Sequence, residues 1–214
     1  MTSKIRFRGA TSGFVELAAP DAAGSNTLTL PTGNGTAGQY LQTSGTSGEL
    51  SWQTVSTSNL TRETAVDTTS GTQIDFTNLP TGIRRITLVL DQVSVSTTNN
   101  IFVRLSTGGT FATTGYVSQS MSIQDGSTSA SVVDSTQFVI INNLNATLTH
   151  SGSFTWHNIT GNTWVMSGNC NSSVTSVALV SGGAIDLGGA LDGLRFRIAG
   201  GTFDAGQINI LYEV

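Results

Sequence analysis

The chain has one cysteine, one lysine, three prolines and two histidines in 214 residues. A lone cysteine, Cys170, excludes an internal disulfide framework. With no CxxC pair and no Cys/His cluster, no zinc site is expected. Charge is equally scarce, at 10% of residues against roughly 25% in an average globular protein. The cations, eight Arg and Lys4, are scattered, the net charge is −4 and the pI is about 4.9. Without a basic stripe, nucleic-acid binding is not expected. No apolar run approaches the roughly 18 residues of a membrane span, so no membrane insertion is expected. The N-terminus MTSKIRFRGA lacks the apolar core of a signal peptide, which predicts synthesis in a cytoplasm without export by that route. Helical periodicity is missing too. No window of about a dozen residues keeps apolar positions at i, i+3, i+4 and i+7 without interruption by Gly, Pro or a Ser/Thr cluster.

What the chain does have is Ser and Thr, roughly a quarter of it, and 25 glycines. The apolar residues fall in short β-branched and aromatic runs, which suits strands. The strongest, RITLVLDQVSV (85–95), puts Ile86, Leu88 and Leu90 on one face and Val89, Val93 and Val95 on the other. NNIFVRLS, GYVSQSMSIQ, TQFVIINN, ATLTHSGSFTWHNI, TWVMSG, SVTSVALV, LRFRIAG and GQINILYEV follow at short, regular spacing. Many short strands with Gly/Asn/Ser turns predict an all-β fold, an antiparallel β-sandwich of jelly-roll type. In SFTWHNITGNTWVMSG, Gly161-Asn162 suits a two-residue type II′ turn. That register sets Thr160 opposite Thr163, Ile159 opposite Trp164 and His157 opposite Met166, with Phe154 and Trp156 on the other face.

Residues 1–60 differ. KIRFRG, GFVEL, TLTLP, QYLQT and ELSWQT are strand-like but only four to six residues each, joined by Gly-rich turns. Their apolar side chains, mainly Leu28, Leu30, Leu41, Leu50 and Trp52, are too few for one copy to offset the entropy of ordering so many glycines. Several copies intertwining around a shared core would resolve this, which makes those five residues the candidate oligomer interface. A boundary near residues 56–70 separates this segment (1–60) from the β-sandwich domain (61–214).

LPTGNGTAGQY (30–40) carries Gly33, Gly35 and Gly38 at the G-x-G-x-x-G spacing of a dinucleotide loop. That site needs a buried apolar strand before the glycines and a helix after them. TLTL is half Thr and is ended by Pro31, and QYLQTSGTSG is too short and Gly-rich for the helix. Gln39 stands where a phosphate-binding loop would carry Lys. A tight turn between TLTLP and QYLQT is the expectation, with no cofactor.

Other chemistry is sparse. His150 and His157 have no nucleophile elbow to serve, and His157 is expected to be a half-exposed strand residue. Asp75, Asp91, Asp125, Asp134 and Asp204 stand singly, without the close pair that glycoside hydrolysis needs, and no calcium-loop pattern occurs. No catalytic residue, cofactor or metal is therefore expected. Tyr116, Trp156 and Trp164 are the candidate aromatic platform for a glycan.

Two stretches resemble bacteriophage tail-fibre and related virion proteins, especially those of marine podovirus-like phages. GFVELAAPDAAGSNTLTLPTGNGTAGQYLQTSGTSGELSW (13–52) is similar to a recurrent fibre segment. The second resemblance runs through TSGTQIDFTNLPTGIRRITLVLDQVSVSTTNNIFVRLSTGG and TTGYVSQS to the closing LDGLRFRIAGGTFDAGQINILYEV. It implies a homotrimer assembled in the host cytoplasm and placed on the virion exterior. The N-terminal segment would contact other virion proteins, and the domain would attach to host-surface polysaccharide. The chain starts almost directly at the glycine segment, so a short tail fibre, a head or neck fibre and a stabilising decoration protein all fit. A stand-alone lectin module is the alternative from another class; a glycan-degrading enzyme fits the length poorly.

Overall fold

Eighteen strands and no helix make up the described residues of the computed structural model, namely 4–22, 24–43, 48–55, 59–124, 131–142, 145–173 and 177–214. The chain divides into two compact units, Met1–Thr57 and Ser58–Val214. This division falls in the 56–70 stretch read as the boundary, and Leu60 pairs with Glu213 inside the second unit.

The first unit holds two antiparallel ribbons. β1 (Lys4–Arg8) pairs with β2 (Phe14–Ala18), and β3 (Gln39–Thr43) pairs with β4 (Leu50–Thr54). TLTLP does not form the expected strand. Only Thr29 engages, in a parallel bridge to Glu49, and QYLQT turns instead into ELSWQT.

The second unit is the expected all-β sandwich. Its larger, curled sheet is built on β11 (Val117–Gln124), β14 (His150–Thr160), β15 (Thr163–Ser172), β16 (Val177–Asp186), β8 (Arg85–Val95) and β18 (Phe203–Glu213). The short strands β12 (Ser131–Asp134), β5 (Leu60–Arg62) and β6 (Val66–Asp67) complete it, in the order β12-β11-β16-β15-β14-β8-β18-β5 with β6 also on β18. The smaller sheet runs β10 (Thr110–Phe111), β9 (Ile101–Thr107), β17 (Leu191–Ile198), β7 (Gln73–Thr77), and β13 (Phe138–Ile141) also pairs with β9. Ile86, Leu88, Phe154, Trp156, Leu194, Phe196 and Ile210 fill one continuous core. Parts of three expected strands, residues 143, 174–176 and the Gln124 side chain, lie outside the described residues, as do 56–58 at the boundary.

Two local irregularities redirect side chains from where simple alternation puts them. In β8, Gln92 has a φ of 51° and forms a bulge against both β14 and β18. One extra residue flips the register, so Val93 and Val95 join Ile86, Leu88 and Leu90 in the core while Val89 stays exposed. In the β14–β15 hairpin, Gly161 has a φ of 54° as the turn requires and Thr160 faces Thr163. A bulge at Ile159 then shifts the register, so Trp164 faces Asn158 and Met166 faces Trp156 rather than His157. Asn158 holds the bulge by donating from Nδ2 to the Gly161 carbonyl at 3.0 Å.

β11 inverts the usual pattern, with Ser118, Ser120 and Ser122 buried and Val117, Met121 and Ile123 exposed. The cause is β13, which packs against the inner side of the larger sheet. Ser118 Oγ accepts from the Val139 amide at 2.9 Å, and Ser181 Oγ donates to the Ile140 carbonyl at 2.7 Å. The serines satisfy backbone groups that would otherwise be buried unpaired.

Candidate functional site

In the β1–β2 ribbon, strand alternation and register together sort the side chains by face. Ile5 lies opposite Leu17 and Phe7 opposite Val15, so all four share one face. Each is more than half exposed. The opposite face is polar: Lys4 Nζ donates to Glu16 at 3.0 Å, Arg6 Nε donates to the same carboxylate at 2.7 Å, and the Arg6 guanidinium stacks on Phe14. The ribbon is thus two-sided, and its apolar face is exposed among the described residues. These four residues were missed in favour of the leucines further on, although KIRFR and FVELA both alternate and signal them.

The β3–β4 ribbon brings three of the five candidate interface residues together. Leu41 faces Trp52 and Thr43 faces Leu50, which sets Leu41, Leu50 and Trp52 on one face. Leu28 and Leu30 flank the Thr29 bridge and are 67% and 69% exposed. The glycine motif is explained by the tryptophan. Trp52 Nε1 donates to the Gly33 carbonyl at 2.8 Å. A Cβ on Gly35 would lie 2.6 Å from the indole, so the loop can seat on the ring only as glycine. Gly38, at a φ of 85°, turns the chain into β3.

The aromatic platform is overturned. Trp156, Trp164 and Tyr116 are 0%, 2% and 3% exposed. Trp156 packs edge-on against Phe138 at 5.8 Å, and Phe138 against Tyr116 at 5.0 Å. All three lie on the face that carries the core, where large aromatics contribute most. Burial pushes the Tyr116 hydroxyl up to about 12, and it accepts from the Leu105 amide. Trp164 lines a depression with Arg84, Asn158 and Asn162, almost wholly covered by its neighbours.

The titratable singles are placed as follows. His150 is buried, and desolvation pulls it down to about 4. His157 is exposed on the outer face. Cys170 is buried against Gly152, with its thiol pushed up to about 12 by desolvation. Asp75 is bound by Arg195, Asp91 by Gln207, Asp204 by Ser94 and Asp134 by Thr136 and Gln137. Asp125 lies outside the described residues. Among the described residues no three His, Cys, Asp or Glu converge as metal ligands would. No family model, curated protein or solved structure matches the chain.

Proposed function

We propose that the chain is a structural protein of a bacteriophage particle, a homotrimeric fibre on the virion exterior at the tail or at the head or neck. In this reading residues 1–60 hold the copies together and join them to other virion proteins. The observation that carries it is the uncovered apolar face of Ile5, Phe7, Val15 and Leu17 on the β1–β2 ribbon. An isolated two-stranded ribbon is at best marginally stable in water. Covering its apolar face is worth roughly 25 cal/mol per Å². Copies of the chain supply matching faces at equal concentration, so ribbon folding and assembly are one event. The count of three comes from the likeness to fibre segments, and attachment to host-surface polysaccharide comes from the same source.

The test is labelling of intact particles with an antibody against the β-sandwich, viewed by electron microscopy. Label on external appendages agrees with the reading. A purified particle free of the chain contradicts it.

A further inference from the structure

The outer face of the smaller sheet gathers three arginines from two neighbouring strands. Arg104 on β9 alternates with the core residues Val103 and Leu105, and Arg195 and Arg197 on β17 alternate with Leu194, Phe196 and Ile198. All three guanidiniums therefore project to the same side. The register sets Arg104 directly opposite Arg195, a cross-strand like-charge pair that costs stability unless something compensates.

The compensation is uneven. Asp75 takes Arg195 with two hydrogen bonds of 2.7 Å, a bidentate fork, and the same guanidinium lies over the Phe111 ring at 4.1 Å. Arg197 Nη1 donates to Gln137 Oε1 at 2.5 Å, and Gln137 Nε2 donates to Asp134 at 3.1 Å. Arg197 thus meets a neutral amide and reaches a carboxylate only at second hand. Burial, Arg104 and Arg195 all pull its pKa down, with Asp134 opposing. Among the described residues Arg104 has no such partner, and its Nε is buried without a hydrogen bond. Among the described residues, two carboxylates beside three guanidiniums leave a local surplus of positive charge in an acidic chain. A buried donor left without an acceptor costs stability, and an arginine fork matches a planar or tetrahedral oxyanion.

We infer that Arg104, with Arg197 and Gln137 beside it, is a binding site for an oxyanion — the carboxylate, sulfate or phosphate group of an acidic ligand. The inference is independent of the virion assignment. The anion would sit over Arg104 between Arg195 and Gln137, accept from the Nη groups of Arg104, and relieve the repulsion between the two facing guanidiniums. Arg195, already held by Asp75 and Phe111, forms a fixed wall and does not need to move.

The experiment uses the full chain at constant ionic strength, with chloride exchanged for sulfate. Binding is followed by calorimetry and by the ¹⁵N resonance of Arg104 Nε. Parallel arms use a uronic-acid oligosaccharide and a neutral oligosaccharide of equal length. The expected result is saturable sulfate or uronate binding that moves the Arg104 resonance, with no binding of the neutral sugar. Uronate tighter than sulfate marks a saccharide source; equal affinity marks a free anion, and both agree with the site. Arg104→Gln is expected to abolish binding, and Arg104→Lys, which keeps the charge but loses the fork, to weaken it by about tenfold. If Arg104→Gln does not fold, the Lys variant carries the test. No anion binding by the wild-type chain would overturn the inference, as would unchanged affinity in the variants. So would loss of assembly in Arg104→Gln without anion binding, because the guanidinium would then serve a carboxylate of another copy.

Discussion

Single side chains in the β-sandwich carry measurable consequences. His150 is buried and its pKa lies near 4, below the ordinary 6.5, because desolvation disfavours the imidazolium. In the pH range between these values the unfolded chain binds the extra proton, so its contribution to stability is complete above about pH 6.5. That contribution is lost as pH falls toward about 4. Replacing His150 by Leu should flatten this acid limb by about 2 kcal/mol between pH 7 and pH 5, read from urea unfolding at those two values. Gly206 sits at a φ of 92°, and a Cβ there would lie 2.5 Å from the Gln92 backbone. Gly206→Ala should therefore cost about 2 kcal/mol or more, and a urea midpoint equal to wild type would remove the strain argument. Trp156→Ala should destabilise the fold by about 3–5 kcal/mol, as a core residue does and a surface platform residue would not. The misplacement of Trp156 and Trp164 has a simple origin. Alternation groups residues into two faces without labelling either as the inner one, and a bulge such as Ile159 re-pairs the hairpin.

At the scale of elements, strand existence was largely legible, since RITLVLDQVSV coincides with β8 and eight further runs with strands of the sandwich. Faces were legible only between bulges, as Val93 and Val95 show. The inverted β11 was not legible, because its buried serines answer to the backbone of β13, a partner distant in sequence. In the first unit the glycine motif is a seat for Trp52, which no local pattern announces across the 17 to 19 positions involved. The ribbons lead to a prediction by gel filtration. Trp52→Ala, Leu41→Asp and Val15→Asp should each reduce the oligomer, while the thermal transition of the β-sandwich stays within a few degrees of wild type. Full assembly in all three variants would mean that the ribbon faces do not form the shared core.

For the whole molecule, the two units answer different physical demands. Ser58–Val214 encloses its own core of aromatic and β-branched side chains. Met1–Thr57 leaves Ile5, Phe7, Val15, Leu17, Leu28 and Leu30 exposed, more apolar surface than two short ribbons can shelter. In the proposed assembly, folding of the first unit is linked to association, and its order should depend on protein concentration. Sedimentation equilibrium of the full chain, with amide exchange over residues 1–60, measures both at once. The expected result is a particle of three times the 22.2 kDa chain mass, with protected amides in the β1–β2 and β3–β4 ribbons. A 22.2 kDa monomer whose ribbons are equally protected would contradict it.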